Sequence, residues 1–179
     1  MIACLGWGSL IWDRRKLAVE AQWQTDGPKL PVEFTRVSDG ERLTLVITNG
    51  AVPVTVLWSQ MTVASLDDGI KNLSEREGAR RAAIAFWSPD RSSAHDEAST
   101  VGEWAAARDF SSVIWTGLKP GFPGNRGEPL THQQALDHLR GLEGDNRKNA
   151  EEYVRRVPEQ VKTVYRTAIE VEFGWTPAL

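Results

Sequence analysis

The sequence predicts an α+β domain with a largely antiparallel sheet. Two observations carry that class. Short runs of β-branched and aromatic residues recur with turn residues between them, and amphipathic helical stripes are fewer. The two kinds of segment do not alternate regularly, which argues against a doubly wound parallel sheet. The pattern is compatible with a sheet that closes on itself.

Extended segments are expected at Ile2–Leu5, Val32–Arg36, Arg42–Ile47, Val52–Trp58, Ala82–Trp87 and Val113–Leu118. Asp39-Gly40 and Asn49-Gly50 supply turns between them, and Asn49-Gly50 reads as a type I′ hairpin turn. A first helix starts at Ser65-Leu66-Asp67-Asp68, a capping box with Asp in place of Glu. Leu66, Ile70 and Leu73 then share one helical face. Thr131-His132-Gln133-Gln134 repeats the signal, and Ala135, Leu136 and Leu139 form the stripe that follows. A third helix holds Ala150, Tyr153, Val154 and Val157, with Pro158 as its interruption. Beyond it the signals divide. Val161, Val164 and Ala168 suit a helix, whereas Ile169 to Phe173 alternates like a strand. Ser88–Thr100 and Lys119–Pro129 read as loops within one domain, the second because of its Pro and Gly content.

The chain has 179 residues, 41% hydrophobic and 25% charged, with a formal net charge of −3. That suits one domain spanning residues 1–179 with a full core. No block of like charge recommends nucleic acid or an acidic membrane as partner. The N-terminus lacks a charged region followed by a long apolar one, so no signal peptide is expected. The one cysteine, Cys4, permits no internal disulfide. A reducing, cytoplasmic location is the expectation.

The segment most suggestive of chemistry is IACLGWGSLIWD, from Ile2 to Asp13. An apolar run stops at Gly6-Trp7-Gly8-Ser9 and resumes at Leu10. This reads as a buried strand opening into a tight loop whose glycines allow positive φ and close approach. Its backbone N–H groups can form an anion-holding concavity. Gly6-x-Gly8 begins a dinucleotide fingerprint, but position 11 is Ile and no long amphipathic helix follows. A glycine turn with no ligand is the plainer alternative.

Other chemistries have little support. His95, His132 and His138 are scattered, with no metal-ligand spacing, so no metal is expected. Cys4 sits inside an apolar strand and reads as a small hydrophobe. Ser9 lacks a nucleophile-elbow setting, and its hydroxyl either stabilises its own turn or meets a ligand. Trp7 and Trp12 flank the loop and serve either as pocket wall or as packing. Among the carboxylates, Glu77 continues the stripe of Leu66, Ile70 and Leu73, whereas Glu75 points elsewhere. An inward carboxylate at a helix end can act as a general acid–base. A solvated helix end is the competing reading.

The ordered motifs resemble the ChaC-type γ-glutamylcyclotransferases. GWGSLIWD resembles that family's FGYGSLIW start, and RLTLVI, ending at Ile47, its GRVLTL strand. VPVTVLW, ending at Trp58, falls where the family has its next strand. NLSEREGAR, from Asn72 to Arg80, resembles YLDxREKGGY. SVIWTGL, ending at Leu118, resembles VLLYIGT, and NRKNAEEYV, ending at Val154, resembles GRNTEYL.

The resemblance implies a small mixed barrel with helices outside it and a pocket at one end. The N-terminal strand and its loop would converge there with the end of the Leu66–Glu77 segment. It implies that Glu77 is the catalytic glutamate and that Gly6, Trp7, Gly8, Ser9, Leu10 and Tyr153 contact substrate. The implied reaction is cyclisation of a γ-glutamyl amide, such as glutathione, to 5-oxoproline, with no cofactor. The family's loop tyrosine is replaced by Trp7, and Gly78-Ala79-Arg80 follows Glu77 where the family has Lys-Gly-Gly-Tyr. These departures leave the leaving amine open, along with a non-catalytic module binding a small molecule or a partner on the same fold.

Overall fold

The computed structural model describes residues 1–95 and 97–177. In chain order the first elements are β1 (Ile2–Gly6), β2 (Lys29–Leu30), β3 (Val32–Val37), β4 (Leu43–Ile47), β5 (Val54–Thr55) and β6 (Leu57–Gln60). Helix α1 (Leu66–Glu77) follows, then a 3-10 turn at Arg81–Ala83, β7 (Ile84–Trp87), α2 (Ala98–Ala106) and β8 (Ser112–Thr116). The remainder comprises β9 (Gly121–Phe122), β10 (Asn125–Arg126), α3 (His132–Gly141), α4 (Gly144–Arg156) and α5 (Val164–Phe173). The fold is therefore mixed α+β, with largely antiparallel sheets. No helix among the described residues is long and apolar enough to cross a membrane.

The chain divides into two compact units, each built from non-contiguous segments. The first comprises Met1–Gly6, Leu10–Leu30 and Thr55–Leu118. The second comprises Trp7–Ser9, Pro31–Val54 and the chain from Lys119 onward.

In the first unit the strands lie in the order β6-β1-β8-β7. β1 runs antiparallel to β6 and parallel to β8, and β7 runs antiparallel to β8. One face packs on α1, where Cys4 and Ile114 join Ile70 and Leu73 in a cluster with Leu10, Leu17 and Met61. Strand alternation sends Trp87 to the other face, where α2 lies against its indole. A Cβ on Gly102 of α2 would stand 2.4 Å from Trp87 Nε1, so only glycine permits this approach.

In the second unit the order is β10-β9-β3-β4. β3 and β4 form an antiparallel hairpin with a register shift between Phe34 and Arg36, and β9 pairs in parallel with β3. The hairpin turn over Ser38–Arg42 carries Glu41 in the left-handed region, φ 59°. Helix α4 buries Ala150, Tyr153 and Val154, and the Tyr153 ring meets Phe34 edge-on. Helix α5 starts at Thr163, whose hydroxyl accepts from the Arg166 N–H. The Glu33 carboxylate of β3 accepts from the Thr163 hydroxyl and from the Tyr165 N–H.

Several expectations are corrected. Among the described residues neither four-stranded sheet closes: β6 and β7 are the edges of one, β10 and β4 of the other. The expected small barrel is thus replaced by open sheets. Thr48-Asn49-Gly50-Ala51 is a turn closed by Ala51 N–H to Thr48 O, but only Gly50 has positive φ. That is the type II pattern, not type I′, and no hairpin forms, because β4 is a sheet edge paired to β3. The Val52–Trp58 run is split into β5 and β6. The start of the Ala82–Trp87 segment is a 3-10 turn. The Ser88–Thr100 loop gives way to α2 at Ala98, residue 96 lying outside the described residues. The Pro- and Gly-rich stretch holds the two-residue hairpin of β9 and β10. The last segment, whose signals divide between helix and strand, is helical throughout Val164–Phe173.

Candidate functional site

Helix α1 delivers Glu77. The Ser65 hydroxyl caps the helix by accepting from the Asp68 N–H and donates to the Asp68 carboxylate, so the expected N-cap is present, with Asp68 bonded to the Ser65 hydroxyl in place of the backbone N–H that a capping box uses. Gly78, at φ 61°, ends the helix in the left-handed conformation, with its N–H on Glu75 O and the Ala79 N–H on Ser74 O. Glu77 is therefore the last helical residue. Its side chain is 15% exposed, whereas that of Glu75 is 64% exposed. The predicted difference in phase between the two glutamates is present.

An anion at a helix C-terminus faces the negative end of the macrodipole. Arg76 supplies the countercharge: its Nη1 donates to Glu77 Oε1 at 2.6 Å. The Arg76 side chain is only 5% exposed. Its Nη2 donates to the Asp13 carbonyl at 2.6 Å. One turn earlier, Asn72 accepts from the Ala18 N–H at 2.8 Å and donates to the Lys16 carbonyl at 2.9 Å. Two α1 side chains, four residues apart, thus hold the main chain of residues 13–18.

Cys4 feels the same pair. Burial pushes its thiol up to about 12, the Glu77 charge adds to the rise and Arg76 opposes it. The thiol is neutral and packed in the apolar cluster, so it is no nucleophile.

The predicted loop residues fall in both units. In the first unit Gly6 closes β1 against Trp23: a Cβ there would stand 2.7 Å from the Trp23 ring. The Leu10 side chain is buried in the apolar cluster. In the second unit the Trp7 indole N–H donates to the Leu45 carbonyl at 3.2 Å. The Leu45 N–H points at the Tyr153 hydroxyl, 3.4 Å away. Both ring residues are buried, and both brace β4. Ser9 is half-buried. Neither Gly6 nor Gly8 has positive φ, so the conformational reason expected for these glycines is replaced by a steric one.

Sequence reasoning missed Arg76, Asn72 and the Asp13 carbonyl. A signal for Arg76 was present: it lies three residues after Leu73, on the stripe that was extended to Glu77. Glu33 was also missed, a carboxylate 3% exposed in the apolar alternation of β3. Burial holds its carboxyl above the ordinary range. Its partners at the start of α5 give it a structural task.

Chemically, the first unit offers a shielded carboxylate beside a fixed guanidinium, next to a main-chain segment anchored by side chains. A carboxylate held in this way has the chemistry to accept and return a proton from a defined position. Compared with family models, with curated proteins and with solved structures, the chain matches none.

Proposed function

We propose that this protein is a γ-glutamylcyclotransferase-like enzyme acting on a small γ-glutamyl amine, in the cytoplasm and without a cofactor. The observation that carries the reading is the Glu77 carboxylate, drawn in from solvent and held by Arg76 at 2.6 Å at the end of α1. The motif resemblance around Gly6–Leu10, Asn72–Arg80 and Asn146–Val154 supplies the substrate class.

The substrate's own α-amino group is the nucleophile. Glu77 accepts a proton from the α-ammonium, and the freed amine attacks the γ-carbonyl carbon. A five-membered lactam forms, and the bond from that carbon to the leaving nitrogen breaks. Two protons leave the α-nitrogen and two arrive on the departing amine, with Glu77 as the relay. Attack within one molecule gains greatly from orientation. Main-chain N–H groups around Gly6 and Leu10 serve the developing oxyanion or the substrate carboxylate in this scheme.

The experiment is release of 5-oxoproline from a panel containing glutathione, γ-glutamylalanine and γ-glutamyl alkylamines. Release from at least one member supports the reading. Tight binding of a member with no release gives the site to a binding module. Neither binding nor release sets aside the substrate class.

A further inference from the structure

We infer that Arg76 is a positioning residue for this site: it locks the Glu77 carboxylate to the main chain of residues 13–18. The inference rests on the cyclotransferase reading for its reaction, but its geometry stands without it. The guanidinium is buried, and its two terminal nitrogens serve different masters. Nη1 holds Glu77 Oε1, and Nη2 holds the Asp13 carbonyl, each at 2.6 Å. A guanidinium is a rigid planar fork, so fixing one nitrogen fixes the other. Asn72 secures the next residues of the segment through Lys16 and Ala18. The segment in turn makes its own bond from the Leu17 N–H to the Arg14 carbonyl. Glu77 therefore cannot swing away without breaking its bond to a guanidinium that is itself tied to a clamped backbone.

A point charge would not do the same. Lysine at 76 can meet the carboxylate or the carbonyl, but a single ammonium does not reproduce the two-armed bridge. The bridge confers orientation, and orientation is what an acid–base group needs when the nucleophile is already within the substrate.

The test is a double-mutant cycle with Arg76→Met and Glu77→Gln, read as kcat and KM for 5-oxoproline release. Arg76→Met lowers kcat about ten- to a hundredfold, the scale of a misplaced catalytic group, while KM moves less than about twofold. Arg76→Lys recovers part of that loss. In the Glu77→Gln background Arg76→Met costs nothing further, because the residue acts through Glu77. An equal loss in both backgrounds, or no loss in the parent background, overturns the inference.

If the parent releases no 5-oxoproline from any panel member, the reaction falls and the clamp is judged directly. The readouts are the Glu77 side-chain carboxyl carbon resonance and amide exchange at Leu17 and Ala18. A displaced resonance and faster exchange in Arg76→Met uphold the lock. An unchanged resonance with unchanged exchange removes it.

Discussion

Gly8 and Tyr153 are matched in space: a Cβ added to Gly8 would lie 2.4 Å from the Tyr153 hydroxyl oxygen. The tyrosine cannot easily give way. Its ring is buried, meets Phe34 edge-on and carries the Arg42 guanidinium 5.7 Å above its centroid. Gly8→Ala therefore destabilises by about 1–3 kcal/mol, the usual cost of overpacking. Tyr153→Phe removes the offending oxygen. The nearest ring atom, Cζ, is then 3.4 Å from the new Cβ, an ordinary contact. The double variant should regain much of the stability that Gly8→Ala loses. Urea midpoints of the parent, the two single variants and the double variant decide this. Additive losses would mean that the two positions are not coupled.

Glu33 makes stability depend on pH. Burial raises its carboxyl above the ordinary value, against hydrogen bonds from Thr163, Phe34, Tyr165 and Val164 that pull the other way. The folded protein thus holds this proton more tightly than the unfolded chain does. The stabilising contribution is full below the unfolded pKa of about 4.3 and is lost as pH rises through the higher folded value. The parent should lose stability relative to Glu33→Gln as pH is raised from about 4 toward neutrality, then level off. Paired denaturation curves at successive pH values measure the difference. A difference that stays flat, or grows in the parent's favour, contradicts the assignment.

Arg166 is the structural counterpart of Arg76 in the second unit. Its side chain is 1% exposed. It donates to the carbonyls of Val157, Pro158 and Val161 and to Glu170 at 2.9 Å. These bonds shape the connection that follows Pro158 and enters α5. Burial lowers its affinity for its proton, and Glu170 opposes that shift. Arg166→Met leaves those carbonyls and the carboxylate unserved, and should cost about 3–5 kcal/mol, as when one partner of a buried ion pair is removed. Glu170→Gln, at the more exposed end, should cost less. A urea midpoint for Arg166→Met close to that of the parent would show that water replaces the guanidinium without penalty.

The elements legible in the sequence are those with local causes. Helices α1 and α3 announce themselves because Ser65 with Asp68 and Thr131 with Gln134 carry cap and stripe within one turn of each other. Helix α2 has no side-chain cap, and it packs through Gly102 on Trp87, a residue of an earlier strand. Helix α5 resembles a strand from Ile169 to Phe173, but its start is fixed by Glu33 from far upstream. The inward phase of Glu77 follows from spacing alone. The burial of Arg76 does not, because a charge on a helix is ordinarily solvated and the carbonyl that draws this one in belongs to Asp13. The open sheets were hidden for a related reason: strand patterns give faces, whereas closure depends on which edges find partners.

The two glutamates of α1 make the sharpest functional comparison. Glu77 lies against Arg76 with most of its side chain out of solvent, and Glu75 is exposed, with Lys71 3.9 Å away. A pair so exposed contributes little. Glu75→Gln should therefore leave both folding and 5-oxoproline release near those of the parent. Glu77→Gln keeps the size and much of the hydrogen-bonding shape, but it cannot relay a proton. It should bind γ-glutamyl compounds as the parent does and lose roughly two to four orders of magnitude in turnover, the range for a general acid–base. Binding is followed by calorimetry and turnover by 5-oxoproline release, on the same preparations. Normal turnover by Glu77→Gln removes Glu77 from the mechanism. An equal loss in Glu75→Gln would mean that the charge of the helix end matters, and not the position of one carboxylate.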